Sequence, residues 1–211
     1  MGKRALTLAL ERFQEKIKVR YERKPFILRP EREGFENWID VLSKLGTRRG
    51  NPSWVHSFVL SMKAKGKTLG IDLDFGGQVG NSLDSLRVLK LVQIEYGSAI
   101  SEEFADLLAE MHFEKRQCVC KHENILKAAL QIGCSEEKVK RVLKNKTLHR
   151  SDVLNEIDLL HRMGIYSIPF FQLTMRTKDN SAVRTHHGAL SVQEFYESLK
   201  NMQTELIKKE E

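Results

Sequence analysis

A chain of 211 residues with 35 Lys and Arg against 28 Asp and Glu, net charge +7, has length for one large domain or two small ones with a real core. Hydrophobic content of 41% and charged content of 30% are those of an ordinary soluble globular protein. No apolar run approaches the roughly 18 residues that span a bilayer. No charged-then-apolar leader opens the chain, and Leu6 stands where a myristoylation signal wants Ser or Thr, so the expected location is cytoplasmic. The basic excess admits an acidic partner. Its Lys and Arg are scattered among acids, however, with no aromatic–basic stacking motif, so neither nucleic acid nor a membrane is expected. Three cysteines, Cys118, Cys120 and Cys134, are an odd number and argue against a structural disulfide framework.

In KRALTLALERFQEKI, Leu6, Leu10, Phe13 and Ile17 share one helical face, which predicts an amphipathic helix beginning almost at Met1. From Ile17 to Leu28 the chain alternates, with Ile17, Val19 and Tyr21 against Lys18, Arg20 and Glu22. That predicts a strand with one wet face, ended by Pro25 and Pro30. From about Gly34 to Arg150 the pattern is helical throughout. Trp38, Val41, Leu42 and Leu45 form a stripe stopped by Gly46, and the next helix has Asn51 as N-cap with Pro52 at its first position. The glycine-rich GIDLDFGGQVGNS lacks the spacing of a phosphate-binding loop. Helices are predicted at about 82–96, 101–113, 122–132, 135–145 and 150–163, with Gly133 and Gly164 as terminators. IPFFQLTM and AVRTHHG then form a hairpin around the turn TKDNS. A capping box of Ser191 and Glu194, with Leu190 and Phe195 placed as its staple, opens the last helix.

Five stretches in one order, GKRALTLAL, PFILRP, GNSLDSLRVL, LLHRMGIYSIPFF and HHGALSVQEFYESL, resemble the DsbA-like thioredoxin family, and within it the FrnE-type oxidoreductases. The 2-hydroxychromene-2-carboxylate isomerases and kappa-class glutathione transferases are relatives there. The resemblance implies an α/β thioredoxin-like fold with a large all-helical insertion. Residues 1–33 form the first part of the thioredoxin-like domain, 34–150 the insertion and 151–211 the second part. In that family a Cys-x-x-C motif ends the first strand and opens the first helix, facing a cis proline. A GKR-like segment follows the motif. Here that segment is residues 2–4, so the fold is expected to lack its first strand and CxxC segment, and the chain contains no Cys-x-x-C. A truncated gene model or isoform is the expected reason, with a degraded non-catalytic relative as the alternative. Without the central strand, the Ile17–Leu28 and Ile168–Met175 strands lose a shared partner. Each buried backbone group left unpaired costs about 1–3 kcal/mol, so the strands must close the gap or pair with another chain.

By the same resemblance, Ile168 and Pro169 are the substrate-binding candidates, Ile168 offering backbone hydrogen bonds to a substrate strand beside a cis Pro169. The plainer reading makes Pro169 a strand-start proline in an ordinary trans bond. No catalytic residue is assigned. The implied class is thiol–disulfide oxidoreductase, which works through a cysteine thiolate at a helix N-terminus. Two alternatives are an isomerase or glutathione-transferase type of enzyme, which uses a Ser at the motif position, and a non-catalytic module that holds an extended peptide or a thiol ligand. The partner is then a thiol- or disulfide-bearing protein or glutathione, with no other cofactor.

Cys118-Val119-Cys120 is a second redox candidate, because Lys121 and His122 beside it favour thiolate and a Cys-x-C bridge is easily reduced. The family has no redox motif in its insertion, and unpaired small residues in a loop are the simpler account. Metal binding is not expected: Cys118, Cys120 and His122 have no second ligand pair at zinc-site spacing. His186 and His187 point to opposite faces of a strand. Asn81, Ser82 and Arg87 match a family pattern at a helix start, whereas Ser85 and Leu86 depart from it; Arg29, where the family has Asn after the strand, is a second departure. The physical reading there is a cap at Asn81 or Ser82, with Arg87 on the wet side of the helix.

Overall fold

A computed structural model describes residues 1–13 and 17–210. The elements in chain order are α1 (Gly2–Arg12), β1 (Glu36–Asn37), α2 (Trp38–Arg48), α3 (Trp54–Thr68), β2 (Gln78–Val79), α4 (Leu83–Phe113), α5 (His122–Gln131), α6 (Glu136–Lys144), α7 (Arg150–Arg162), β3 (Phe170–Arg176), β4 (Ser181–His187) and α8 (Val192–Glu210). They fall into two compact units: Met1–Val19 with Met163–Glu211, and Arg20–Arg162. Residues 20–33 and α7 therefore belong to the helical unit.

In the first unit, alternation sets the hairpin. Strand β3 pairs antiparallel with β4, Phe170 opposite His187 and Arg176 opposite Ser181. Thr177 closes the turn by donating its N–H to Asn180 O at 2.9 Å. Leu173 and Met175 pack with Ala182 and with Met202 and Leu206 of α8. The capping box forms: Ser191 N–H donates to Glu194 Oε2 at 2.7 Å, and Glu194 N–H to Ser191 Oγ at 3.2 Å. Each bond satisfies an otherwise orphaned donor. Helix α1 buries Ala5, Leu6 and Ala9, and Phe13 meets Tyr196 of α8 edge-on at 6.4 Å. Ile17, expected on this helical face, lies past the helix end and is exposed; residues 14–16 of the expected helix lie outside the described residues.

The helical unit is built on α4. Val88, Leu89, Leu91, Val92, Phe104 and Met111 pack with residues of α5 and α6. Two helices were expected across 82–113, and they run on as one element with a break at Gly97, whose φ of 83° and ψ of 179° are open only to glycine. Gly133 and Gly164 take φ of 81° at the ends of α5 and α7, as helix-terminating glycines do.

Several expectations are corrected. The Ile17–Leu28 strand does not form. An alternating pattern supplies a face but not a neighbour, and among the described residues no strand pairs with it. Val19 and Leu28 face solvent, and Arg23 instead anchors its stretch through Glu102 of α4 at 3.0 Å. Between 34 and 150 the chain is not purely helical, because Glu36 pairs with Val79 and Asn37 with Gln78 in a short bridge. Gly46 does not stop α2. It lies inside that helix, where an added Cβ would come 3.0 Å from Asn51 O. Helix α3 starts at Trp54, later than expected, and Ser53 at its N-cap donates its hydroxyl to Asn51 Oδ1 at 2.8 Å.

Candidate functional site

The first candidate place is where β3 begins. The segment after α7 leads through Ile165, which is buried, to an outward-facing run of Tyr166, Ile168 and Pro169. Ile168 is 46% exposed and Tyr166 73%, large apolar surface held open at the start of a strand. The Ile168–Pro169 peptide bond is cis. Gly188 N–H donates to Pro169 O at 2.8 Å, so this residue already belongs to the hairpin ladder. Among the described residues, β3 pairs only with β4. The helix α1 start lies against the same strand: a Cβ on Gly2 would come 2.6 Å from Cζ of Phe171. Only glycine there lets the ring sit so close. His187 packs edge-on to Phe170 at 4.8 Å, whereas His186 reaches Ser198 Oγ of α8 at 2.9 Å, so the two histidines take opposite faces.

A second place lies wholly within the helical unit. An open cleft of about 560 Å³ is lined by Phe35, Asp84, Cys120, Lys121, His122 and Lys146 among others. It forms where α4 and α5 begin. Asn81 caps α4, its Oδ1 accepting the Leu83 N–H at 2.9 Å. His122 Nε2 and Asp84 Oδ2 are 2.7 Å apart. Burial alone would raise the Asp84 carboxyl, but its bonds to His122 and Arg87 outweigh that and hold it below its ordinary value.

Arg87 is the support beneath Asp84. It is fully buried rather than on the wet side of α4. Its Nε donates to Leu148 O at 2.8 Å and Nη1 to Asp84 Oδ1 at 2.7 Å, while Nη2 serves Val142 O and Asn145 O. This arginine caps carbonyls at the end of α6 and beyond it, and fixes the carboxylate that meets His122. Ser85 is buried beside it, and Leu86 packs on the helical core.

Cys118 is buried and Cys120 half-buried, and neither forms a disulfide. The residues from Cys118 to Lys121 make a turn, with Lys121 N–H donating to Cys118 O at 3.2 Å and Asn124 Nδ2 to the same oxygen at 2.9 Å. The Cys118 sulfur accepts the Cys120 thiol and, despite its burial, also the N–H groups of Cys120 and Lys121; these hold its pKa down at about 6. The same thiol contact pushes the Cys120 pKa up. Cys134 is buried apart, its pKa raised by burial and by Glu95. Neither Asp84 nor Arg87 was a site expectation, and the Asn-Ser-x-Asp helix start was their only local signal. Among the described residues no group of three or more His, Cys, Asp or Glu is arranged to hold a metal ion.

Helix, hairpin and terminal helix in one unit, with a block of helices inserted between them, define a DsbA-like thioredoxin fold with a large helical insertion. The sequence matches no protein-family model and no curated protein. The structure is similar to the crystal structure of a probable DsbA oxidoreductase from Streptomyces coelicolor, with a TM-score of 0.80 over 97% of this chain and 84% of that one, at 19% identity. No helix among the described residues is long and apolar enough to cross a membrane.

Proposed function

We propose that this protein belongs to the thiol–disulfide oxidoreductase class, in its FrnE-type branch, and that residues 1–211 hold an extended, cysteine-bearing segment of a substrate protein along β3. The observation that carries the reading is the likeness, over nearly the whole chain, to a probable DsbA oxidoreductase. The surface at β3 supports it. A strand that pairs on one edge offers the other to an extended peptide, whose main chain supplies affinity while side-chain pockets supply choice. Ile168 and Pro169 stand at the start of that edge, and Ile168 presents apolar surface to such a peptide. With no Cys-x-x-C among these 211 residues, the role assigned to them at β3 is binding rather than exchange. Cytoplasmic placement goes with three free cysteines.

The test is binding of a fluorescein-labelled, reduced unfolded peptide containing one cysteine, read by anisotropy. Ile168→Asp places a charge at an exposed position without touching the core, so it should weaken binding at least tenfold with an unchanged far-UV spectrum. Equal binding by the variant, or none by the unsubstituted protein, overturns the proposal.

A further inference from the structure

We propose that Cys118 and Cys120 are a redox-active dithiol of the helical insertion, which reduces small disulfides carrying carboxylates and closes to a Cys118–Cys120 bridge. This is a separate site from β3 and does not rest on the reading given for that strand.

Geometry carries the proposal. One intervening residue and the turn held by Lys121 N–H and Asn124 Nδ2 set the two cysteines beside each other, each the largest influence on the other's thiol. The Cys118 sulfur also receives the N–H groups of Cys120 and Lys121, a small cradle that favours an anion. The Cys120 sulfur accepts the Gly80 N–H. That approach needs glycine, because a Cβ at Gly80 would lie 3.0 Å from both Cys120 Cβ and Phe35 Cδ1. These contacts therefore favour the anion at Cys118, with the proton shared from Cys120.

The cleft decides which sulfur meets a substrate. Cys120 lines it, whereas Cys118 is 3% exposed behind it. Lys121 and Lys146 stand at the cleft as cations, Lys121 over the Phe35 ring at 5.6 Å. Asp84 is already engaged by Arg87 and His122, leaving Glu123 as the other acid of the lining. A disulfide that bears carboxylates suits this arrangement.

The step is balanced. When the shared proton moves to Cys118, the Cys120 thiolate attacks one sulfur of R–S–S–R, forming Cys120–S–S–R and releasing one R–S⁻. Cys118 then attacks the Cys120 sulfur, closing the bridge and releasing the second R–S⁻. Two electrons pass from the dithiol to the substrate disulfide; the one proton the pair holds passes from Cys118 to a released thiolate as Cys118 attacks, giving R–SH, and the other product leaves as R–S⁻ and takes its proton from water.

The experiment incubates the full chain with oxidised glutathione at neutral pH, quenches with acid and maps the Gln117–Lys121 tryptic peptide by mass. The expected product is that peptide lighter by two hydrogens, with Cys134 unmodified. Cys118→Ser should instead trap one glutathionyl group on residue 120, while Cys120→Ser stays unmodified. Alkylation of the unsubstituted protein provides a measurement free of folding effects: below neutral pH the pair should react with iodoacetamide at least tenfold faster than Cys134. A bridge that never forms overturns the proposal, as does modification at Cys134 first. Oxidation by a protein disulfide such as insulin but not by oxidised glutathione overturns its assignment to small disulfides.

Discussion

Replacing Arg87 by Met keeps most of the buried volume and removes every donor. Arg87 serves the carbonyls of Val142, Asn145 and Leu148 and pairs with Asp84 at 2.7 Å. A fully buried acceptor left without a partner costs about 1–3 kcal/mol, and the bond to Val142 O is of that kind. The bonds to Asn145 O, Leu148 O and Asp84 are only partly buried, so water repairs some of their loss. The sum is about 3–5 kcal/mol, the same range as breaking a buried ion pair by removing one partner. Against a domain stability of about 5–15 kcal/mol, the helical unit should be left marginal. Arg87→Lys keeps the charge but not the planar fork, and should lose about half as much. Urea titration followed by far-UV circular dichroism measures both, with a lowered midpoint and an unchanged slope expected. A loss under about 1 kcal/mol for Arg87→Met would refute the claim that this side chain ties α4 to the turn after α6.

Other perturbations act on other elements. Ser191→Ala removes the capping acceptor for Glu194 N–H and should cost about 1 kcal/mol, read from the same titration. Gly97→Ala forces a side chain onto φ 83° and ψ 179° and should cost about 1–3 kcal/mol; no change in stability would mean that α4 straightens without penalty. Burial holds the His112 imidazole below its ordinary 6.5, where it stacks on Trp38 at 4.8 Å. The unfolded chain then binds the proton more readily than the folded one. Stability is accordingly full above about 6.5 and falls as pH drops through that value towards the folded pKa. His112→Phe should flatten this acid slope, measured as urea midpoints at pH about 5.5 and about 7.5.

Local signals were legible and distant ones were not. Ser191 and Glu194 lie three apart, so their reciprocal bonds follow from the sequence alone. The hairpin alternation and the terminating Gly133 and Gly164 are equally local. Residues 17–28 show the limit: their alternation is real, yet a strand also needs a partner edge, which no pattern within the segment supplies. Arg87 looked like a solvated charge because the carbonyls it serves lie more than fifty residues away in sequence. The same holds for the cleft, where Asp84 meets His122 across 38 positions. Cys118 and Cys120 could be singled out as a pair, but the cradle of N–H groups around one sulfur belongs to the turn. Gly46 and Gly97 separate only in three dimensions, one admitting a close neighbour inside α2 and the other breaking α4.

The most direct test of the reading given for β3 is hydrogen–deuterium exchange with and without the reduced cysteine-bearing peptide. Binding along the strand should slow exchange in residues 168–176 and leave α5 and α6 unchanged. Protection confined to the helical unit, with β3 unaffected, would contradict it.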